Sequence, residues 1–437
     1  MDTLISNVTV VTMNERMDVL FGAYIGIEEG KISYIGKTAP DQQPTTIVDG
    51  TGMIAMPGLI NCHTHLATTV LRSCFDDLTS REALESLLQK EARMDSRCAK
   101  AAATLGIAEC LRFGITSVSD LYYYPEAVAQ AAAETGIKAN IALSAYRFEE
   151  ESEDFDFDTD PQCAELRRVV EQWNGYDNGR IRMDAGIYAE YTSNRQLWEA
   201  LAGYAAEAGL GFQLHLAQNA EESESCQDRT GLTPGELLSC HGIFGVPTTA
   251  AGCSALSDEE MALLGKKKVS AVALPLEDAK AGRACLPVSK AVKAGLNVAL
   301  GTGGAVECGN LDLFEAMRAI AFAERCRNQK PEAMPSTAVL TMATICGAWA
   351  QGRTDCGMLK EGMDADIVLV DFSAPHLMPC HNVLAGLVFS AKGGDVAMTM
   401  VRGKILYQNG TFPTLDLAAA VEELGQYAIP KLFAPAE

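Results

Sequence analysis

The chain has 437 residues, of which 48% are hydrophobic, so it is long enough for one large domain, a smaller domain and a substantial buried core. Its 57 acidic residues outnumber its 35 basic residues and give a formal net charge of −22, which argues against binding to nucleic acid or to an anionic membrane surface. No basic segment precedes an apolar stretch near the start, and no uninterrupted apolar run reaches the roughly 18 residues of a membrane-spanning helix. We therefore expect a cytoplasmic protein whose 14 cysteines, none of them in a CxxC pair, are reduced thiols.

Short strands of alternating apolar and polar residues are predicted at both ends of the chain. Near the start, LISNVTVVTM and AYIGIEEGKISYIG are typical of antiparallel strands, with a hairpin turn at Glu29 and Gly30. Near the other end, ADIVLVD and AMTMVRGKILYQNG have the same pattern. We predict that residues 1–56 and 358–412 together form one small β-sandwich domain.

Between these ends, apolar β-rich runs alternate with helical segments. The eight runs are LINCHTH, ITSVSDL, KANIALSAY, IRMDAGIYAE, GFQLHLA, TTAAGCSAL, VSAVALP and LNVALGTGG. Amphipathic segments such as RQLWEALAGYAAEAG and LFEAMRAIAFAERC lie between them, and several are followed by a helix-ending glycine. Eight such units predict an α/β fold, a (β/α)8 barrel over residues 57–357, whose chemistry lies at the C-terminal ends of the strands.

Two further segments lie outside this pattern. The acidic stretch FEEESEDFDFDTD, residues 148–160, is predicted to be a solvated connection after the third strand, because clustered like charges repel one another and resist packing. Residues 413–437 carry a C-terminal amphipathic helix and tail. This helix is expected to dock either on the barrel or on a partner chain.

Three histidines stand at predicted strand ends. His63 and His65 end the first run, in PGLINCHTHL, and His215 ends the fifth run, in GFQLHLAQNAEE. Inward-pointing imidazoles at two separate strand ends are typical of a metal-dependent hydrolase. The remaining histidines do not lie at barrel strand ends and are predicted to be structural: His241, His376 and His381.

These motifs resemble those of the amidohydrolase superfamily, in particular its methylthioadenosine/S-adenosylhomocysteine deaminase and chlorohydrolase branch. The resemblance spans nearly the whole chain, through PGLINCHTHL, LRFGITSVSDLYYY, HLAQNAEE, LSDEEM, LGTGGAVECGNLDLF and the closing GMLKEGMDADIVLVDFSAPHLMPCHN and GGDVAMTMVRGKILYQNG. In deaminases of this family, an HxH pair, a strand-five His and a strand-eight Asp bind one divalent metal, usually zinc or iron. A strand-six His and a Glu three residues after the strand-five His assist. The resemblance implies that His63, His65 and His215 are metal ligands.

The other catalytic positions of the family are substituted in this chain. The Glu is replaced by Gln218, which cannot deliver a proton, the strand-six His by Gly252 and the strand-eight Asp by Gly303. In the family the Asp takes a proton from water and the Glu protonates the ring nitrogen. Because general acids and bases each contribute about 100- to 10,000-fold, their loss is expected to remove most turnover by the family route. The NPxSN segment after strand seven is also changed, to LPLED at residues 274–278.

Strand four of the resemblance indicates substrate contacts, and the ends of strands four and eight each offer one replacement acid. The family's HAPYT is YAEYT here, which makes Tyr188 and Glu190 candidates for substrate binding. Glu190 and Glu307 are the acids that could replace the lost groups, since both lie near strand ends. Glu221 and Glu222, by contrast, are predicted to stabilise a helix N-terminus.

Two hypotheses for function follow. The first is a deaminase-like protein with a degenerate site, which lacks ordinary purine or pyrimidine aminohydrolase activity and has a binding, partner or regulatory role. The second is an active, divergent hydrolase that acts on non-peptide C–N or C–Cl bonds of a small cyclic substrate through a three-histidine metal site. A divalent metal, zinc or iron, is implied by the resemblance, but a relic site without metal is equally compatible with the sequence. In either case we expect a small molecule in the barrel mouth and a homodimer or higher homo-oligomer.

Overall fold

The computed structural model describes residues 1–78, 80–148, 151 and 155–434. Along the chain, a long central series of parallel strands is preceded by the N-terminal strands and followed by the C-terminal strands. In chain order the strands are β1 (Thr3–Val11), β2 (Val19–Glu28), β3 (Lys31–Gly36), β4 (Thr46–Asp49), β5 (Met53–Pro57), β6 (Leu59–Thr64), β7 (Ile115–Tyr122), β8 (Lys138–Leu143), β9 (Ile181–Gly186), β10 (Phe212–Leu216), β11 (Thr248–Gly252), β12 (Ser270–Ala273), β13 (Asn297–Leu300), β14 (Ile367–Asp371), β15 (Val396–Val401) and β16 (Lys404–Gln408).

The central strands form the predicted barrel. Strands β6 to β13 pair in sequential order, all in parallel, and each contains the core of one of the eight predicted apolar runs. The ring is closed by a parallel bridge between Thr64 and Gly303. Nearly all side chains of these strands are buried, as expected when helices cover the outside and side chains fill the inside. The prediction of a (β/α)8 barrel is confirmed.

Helices follow the barrel strands and pack around them. In chain order they are α1 (Ser80–Glu91), α2 (Ser96–Arg112), α3 (Pro125–Thr135), α4 (Pro161–Trp173), α5 (Tyr176–Gly179), α6 (Arg195–Ala208), α7 (Ala220–Thr230), α8 (Pro234–Cys240), α9 (Asp258–Lys266), α10 (Pro275–Lys280), α11 (Val288–Lys293), α12 (Ala305–Cys308), α13 (Leu313–Asn328), α14 (Ser336–Ala343), α15 (Ile345–Ala350), α16 (Val383–Phe389), α17 (Leu417–Glu423) and α18 (Ile429–Phe433). Helix α6 illustrates the local signals: Asn194 accepts a hydrogen bond from Leu197 N at its start, and Gly209 ends it with a φ of 67°.

The two chain ends meet in one additional domain, as predicted, and its strands form a mixed sheet. Its strand order is β16-β15-β14-β5-β1-β2-β3, with β4 paired to β1, and it encloses a core of its own. The hairpin at Glu29 and Gly30 joins the antiparallel β2 and β3. Buried Lys138 of the barrel forms ion pairs with Asp364 and Asp366 just before β14, at 2.9 and 2.6 Å, and so ties the second domain to the barrel.

The C-terminal helical segment packs against the barrel. Leu424 and Leu432 are buried in a cluster with Leu71 and Cys98 of the barrel wall. The hydroxyl of Tyr427 donates a hydrogen bond to Asp95, the residue that also caps the start of α2. Of the two arrangements left open by the sequence, the structure therefore has the barrel-docked one.

Two other predictions concern the acidic connection at residues 148–160 and membrane-spanning helices. The predicted solvated connection at residues 148–160 lies partly outside the described residues, since 149, 150 and 152–154 are not among them. Its last residue, Asp160, accepts hydrogen bonds from the first backbone amides of α4 and so caps that helix. No helix in the described part of the chain is both long and apolar enough to cross a membrane.

Candidate metal centre

Three buried histidines meet inside the mouth of the barrel. His63 and His65 point the same way because side chains two residues apart on a strand share a face, and His215 projects from β10. Their candidate ligand nitrogens all lie within 4.8 Å of one another, and the three side chains are between 1% and 7% exposed. His63 Nε2 is 2.9 Å from His215 Nε2. We call His63, His65 and His215 the three-histidine cluster.

Backbone carbonyls fix which ring nitrogens of the cluster carry a proton. His65 Nδ1 lies 2.7 Å from the carbonyl oxygen of Leu121, and His215 Nδ1 lies 3.0 Å from that of Tyr188. Because a carbonyl oxygen only accepts, both Nδ1 atoms donate, and each Nε2 keeps a lone pair when the ring is neutral. Oriented imidazoles of this kind are characteristic of metal ligands in proteins.

The surroundings of His63 and His215 favour the neutral form of both rings. Burial, with a smaller contribution from the neighbouring His65, lowers the pKa of His215 to about 3. Burial and the two other imidazoles also hold the pKa of His63 well below its usual value. Since a histidine must be deprotonated to bind a metal, the donor set fits a borderline ion such as zinc, which accepts three histidines in catalytic sites.

The position of the substituted strand-eight residue is filled by a neighbouring carboxylate. Gly303 has a φ of 75°, and its backbone N–H donates to the carbonyl of His63 at 3.1 Å. Glu277 Oε2 lies 2.5 Å from the point that a Cβ at residue 303 would occupy. The other oxygen of Glu277 accepts a hydrogen bond from Arg283 Nη2 at 2.8 Å.

Glu277 is a residue that the sequence-based prediction missed as a candidate for the site. The segment at residues 274–278 was recognised only as a departure from the family pattern. A usable signal was present, because a carboxylate appears after strand seven in the same chain that lacks one after strand eight.

The strand-six position is filled in a similar way. The Cγ atom of Gln218 lies 2.9 Å from the point that a Cβ at Gly252 would occupy, and Gly252 has a φ of 88°. Glu222 fixes the backbone of Gln218, because its carboxylate accepts from the amides of Ala217 and Gln218 at 2.9 and 2.8 Å. Burial raises the pKa of Glu222 to about 7. Glu222 thus binds backbone amides just before α7. Gln218 occupies the space that a side chain at residue 252 would fill.

Glu307, one of the two predicted replacement acids, lies against the cluster. Its side chain packs over Gly304, next to Thr68, and its Oε2 is buried without a hydrogen-bond partner among the described residues. Burial raises the pKa of this carboxyl to about 7, and the nearby His65 opposes the shift. A buried oxygen without a partner is costly unless a cation or a donor reaches it, so Glu307 is suited to a bound ion or substrate.

Glu190, the second predicted replacement acid, is already engaged elsewhere. It is 1% exposed, and its Oε2 lies 2.5 Å from Arg229 Nη2 of α7. Tyr188, its neighbour in the same motif, does lie at the site, with its ring centroid 4.4 Å from that of His215. The structure therefore brings Tyr188 and Glu307 to the cluster and pairs Glu190 with an arginine.

A Glu190→Gln substitution is expected to change zinc affinity only slightly. The charge of Glu190 is offset by Arg229, whereas Glu307 has no such partner among the described residues. Glu307→Gln is the matched variant, and it should weaken zinc binding by about 10- to 100-fold, the range typical of groups that support metal ligands. Competition with a chromophoric chelator measures both affinities. Equal losses in the two variants would contradict this assignment.

The histidines predicted to be structural lie away from the cluster. His241 Nδ1 is 2.9 Å from Glu199, and His376 Nε2 is 3.0 Å from Asp395. His381 precedes α16 and is exposed. None of them belongs to the group of potential metal ligands found among the described residues.

Comparison with known proteins places this geometry in a family. The model of the amidohydrolase family matches residues 54–406. The chain belongs to the amidohydrolase family. This amidohydrolase is 35% identical to a 5'-deoxyadenosine deaminase of Methanosarcina mazei over 97% of the chain and 96% of the relative. It is 33% identical to a 5-methylthioadenosine/S-adenosylhomocysteine deaminase of Caldicellulosiruptor saccharolyticus, over 97% of each protein.

Solved structures of similar proteins contain zinc. An adenosine deaminase from Xanthomonas campestris with bound zinc superposes with a TM-score of 0.91 at 26% identity, covering 98% of each chain. An atrazine chlorohydrolase from Arthrobacter aurescens TC1, complexed with zinc, superposes with a TM-score of 0.88 at 25% identity, covering 97% of this chain and 99% of the other. The resemblance inferred from the motifs is thus confirmed at the level of the family.

Proposed function

We propose that this amidohydrolase is a metal-dependent hydrolase that cleaves an exocyclic C–N bond of a small heterocyclic substrate. The observation that carries the proposal is the three-histidine cluster, in which the carbonyls of Leu121 and Tyr188 orient the rings of His65 and His215. Zinc held there supplies Lewis acidity that makes water a nucleophile near neutral pH.

The residues around the cluster supply the remaining functions. Tyr188 packs on His215 and offers its ring and hydroxyl to a planar substrate, a contact that suits heterocycles. Glu307 offers a carboxylate oxygen without a partner among the described residues, next to His65. These groups support hydrolysis even though Gln218 has replaced the proton-carrying Glu of the family.

The relatives favour C–N over C–Cl bond cleavage. The relatives at 33% and 35% identity are deaminases and match this chain over 97% of its length, whereas the chlorohydrolase is 25% identical. Deamination and dechlorination both replace a leaving group on a ring carbon, so the same site suits either reaction. We therefore place aminohydrolase activity first, on a substrate whose ring nitrogen need not be protonated by Gln218.

A second candidate function is binding without turnover, and one observation favours it. Gln218 and Glu277 fill the spaces next to Gly252 and Gly303, so the ordinary side chains of the family cannot simply be restored. A protein that retains a ligand in the barrel mouth but lacks a proton donor would bind a heterocycle and release no product. This candidate corresponds to a regulatory or partner role, in a homo-oligomer as we expect for this chain.

A paired screen for binding and turnover separates the two candidates. Zinc-loaded protein is incubated with 5'-deoxyadenosine, 5-methylthioadenosine, S-adenosylhomocysteine, guanine and a chlorotriazine, and the release of ammonia or chloride is measured. We expect ammonia release from at least one amine, lost on chelation and recovered on adding zinc. The His63→Ala/His65→Ala variant is the background control. Tight binding of one compound with no product from any of them would reject hydrolysis and support the second candidate.

A further inference from the structure

The space next to Gly303 contains a carboxylate from a different strand end. Strands β12 and β13 are parallel neighbours, with Ala273 opposite Leu300. The chain leaves β12 into the short helix α10, which carries Glu277, while it leaves β13 directly into Gly303. The side chain of Glu277 thus crosses from the end of the seventh barrel strand to the end of the eighth.

This position of the Glu277 carboxylate favours glycine at residue 303. Glu277 Oε2 lies 2.5 Å from the Cβ position, so a side chain at residue 303 would overlap that oxygen unless Glu277 shifted. Real Cβ atoms do not approach other atoms closer than about 3.0 Å. Glycine at residue 303 leaves room for the Glu277 carboxylate. That carboxylate therefore occupies, from the end of the adjacent strand, the space that a side chain at residue 303 would fill.

Arg283 orients Glu277 toward this space. Its Nη2 atom binds Glu277 Oε1 at 2.8 Å, and its Nε atom lies 3.3 Å from Asp278 Oδ1. One oxygen of Glu277 is therefore held by the arginine, and the other is directed at Gly303 beside His63. An ion pair with Arg283 alone would not need the second oxygen to lie there.

The local charge balance also favours a cation. Arg283 contacts two carboxyl groups, those of Glu277 and Asp278, and can offset the charge of only one of them. Glu277 is 7% exposed and lies close enough to Glu307 for the two carboxyls to interact electrostatically. Glu307 carries an oxygen without a hydrogen-bond partner among the described residues. Negative charge of this kind, screened little by solvent, stabilises a divalent ion held by neutral ligands.

We propose that Glu277 supplies the carboxylate that strand eight lacks, supporting the metal ion and accepting the proton of the attacking water. This inference rests on the hydrolase function proposed above. As the water oxygen forms a bond to the ring carbon, the π pair of the ring C=N bond moves to the ring nitrogen, one O–H bond breaks and the proton passes to Glu277. The pair then returns to re-form C=N as the exocyclic C–N bond breaks, and the departing nitrogen takes the proton from Glu277 to leave as ammonia.

Glu277→Gln and Asp278→Asn test the proposal as a matched pair. Both remove one carboxylate charge from the same loop, and both residues contact Arg283, but only Glu277 reaches Gly303. We expect Glu277→Gln to weaken zinc binding by about 10- to 100-fold and to lower kcat by about 100-fold or more with little change in KM. Asp278→Asn should retain wild-type zinc affinity. Wild-type zinc affinity in Glu277→Gln would overturn the proposal.

A swap variant keeps the test valid if Glu277 variants lose stability. Glu277→Ala/Gly303→Asp removes the obstructing side chain and returns a carboxylate to strand eight, so it should bind zinc more tightly than Glu277→Ala alone. Equal zinc affinity of the two would overturn the proposal. Failure of the underlying function is distinguishable, because wild-type protein would then release no ammonia, whereas failure of this proposal leaves wild-type turnover and zinc binding intact.

Discussion

A His215→Ala variant is expected to lose its zinc while keeping its fold. Structural zinc sites are worth at least about 10 kcal/mol, so one of three protein ligands contributes about 3 kcal/mol, which corresponds to an affinity loss of about 100-fold or more. The variant should contain little zinc after gel filtration, measured by atomic emission. His241→Ala is the control, because His241 is paired with Glu199 away from the cluster.

Thermal unfolding gives an independent readout of the same prediction. A ligand that binds only the folded state stabilises it by about 2.7 kcal/mol at a free concentration 100 times its dissociation constant. Added zinc should therefore raise the Tm of the wild type and of His241→Ala, but not that of His215→Ala. A zinc-dependent rise in Tm for His215→Ala would show that the ion binds elsewhere and would contradict the proposed centre.

A Gly303→Asp variant, although it restores the residue type of the family, is expected to be destabilised. An Asp side chain at this positive φ costs about 1 kcal/mol, and overpacking against the Glu277 carboxylate adds about 1 to 3 kcal/mol. Repulsion between two buried carboxylates acts in the same direction. We expect the free energy of unfolding to fall by about 2 to 4 kcal/mol in urea titrations.

Gly52 provides a matched control for the Gly303→Asp prediction. Its φ of 76° is nearly the same as the 75° of Gly303, but no atom lies within 4 Å of its Cβ position. Gly52→Asp therefore measures the backbone strain alone, about 1 kcal/mol for a residue type that tolerates this region. Equal destabilisation of the two variants would show that Glu277 does not occupy the space at residue 303.

The barrel and the three-histidine cluster could be predicted because their signals are local. Each apolar run is one strand, and His63, His65 and His215 stand at strand ends, where parallel barrels gather their functional side chains. The pairing of the two chain ends was likewise indicated by the alternation of apolar and polar residues within β1, β2 and β14. Short-range periodicity was enough for these features because the fold buries side chains in the same periodic way.

The sequence offers acidic residues as candidates but cannot assign their roles, because those roles depend on contacts between distant elements. Glu190 was a candidate acid, but Arg229 reaches it from α7 and offsets its charge. Glu277 lies 26 residues before Gly303, and only the path of α10 brings its carboxylate to that glycine. Substitutions at Gln218, Gly252 and Gly303 therefore indicated lost groups without indicating which side chains now fill the vacated space.

The zinc content of the wild-type protein tests the central claim most directly. Protein purified without chelator and equilibrated with zinc is passed through a desalting column, and metal and protein are quantified on the same sample. The account predicts about one zinc ion per chain, removable by chelator and restored by added zinc, as for other three-histidine sites. A zinc content far below one per chain, unchanged by added zinc, would contradict a metal-dependent hydrolase built on these three histidines.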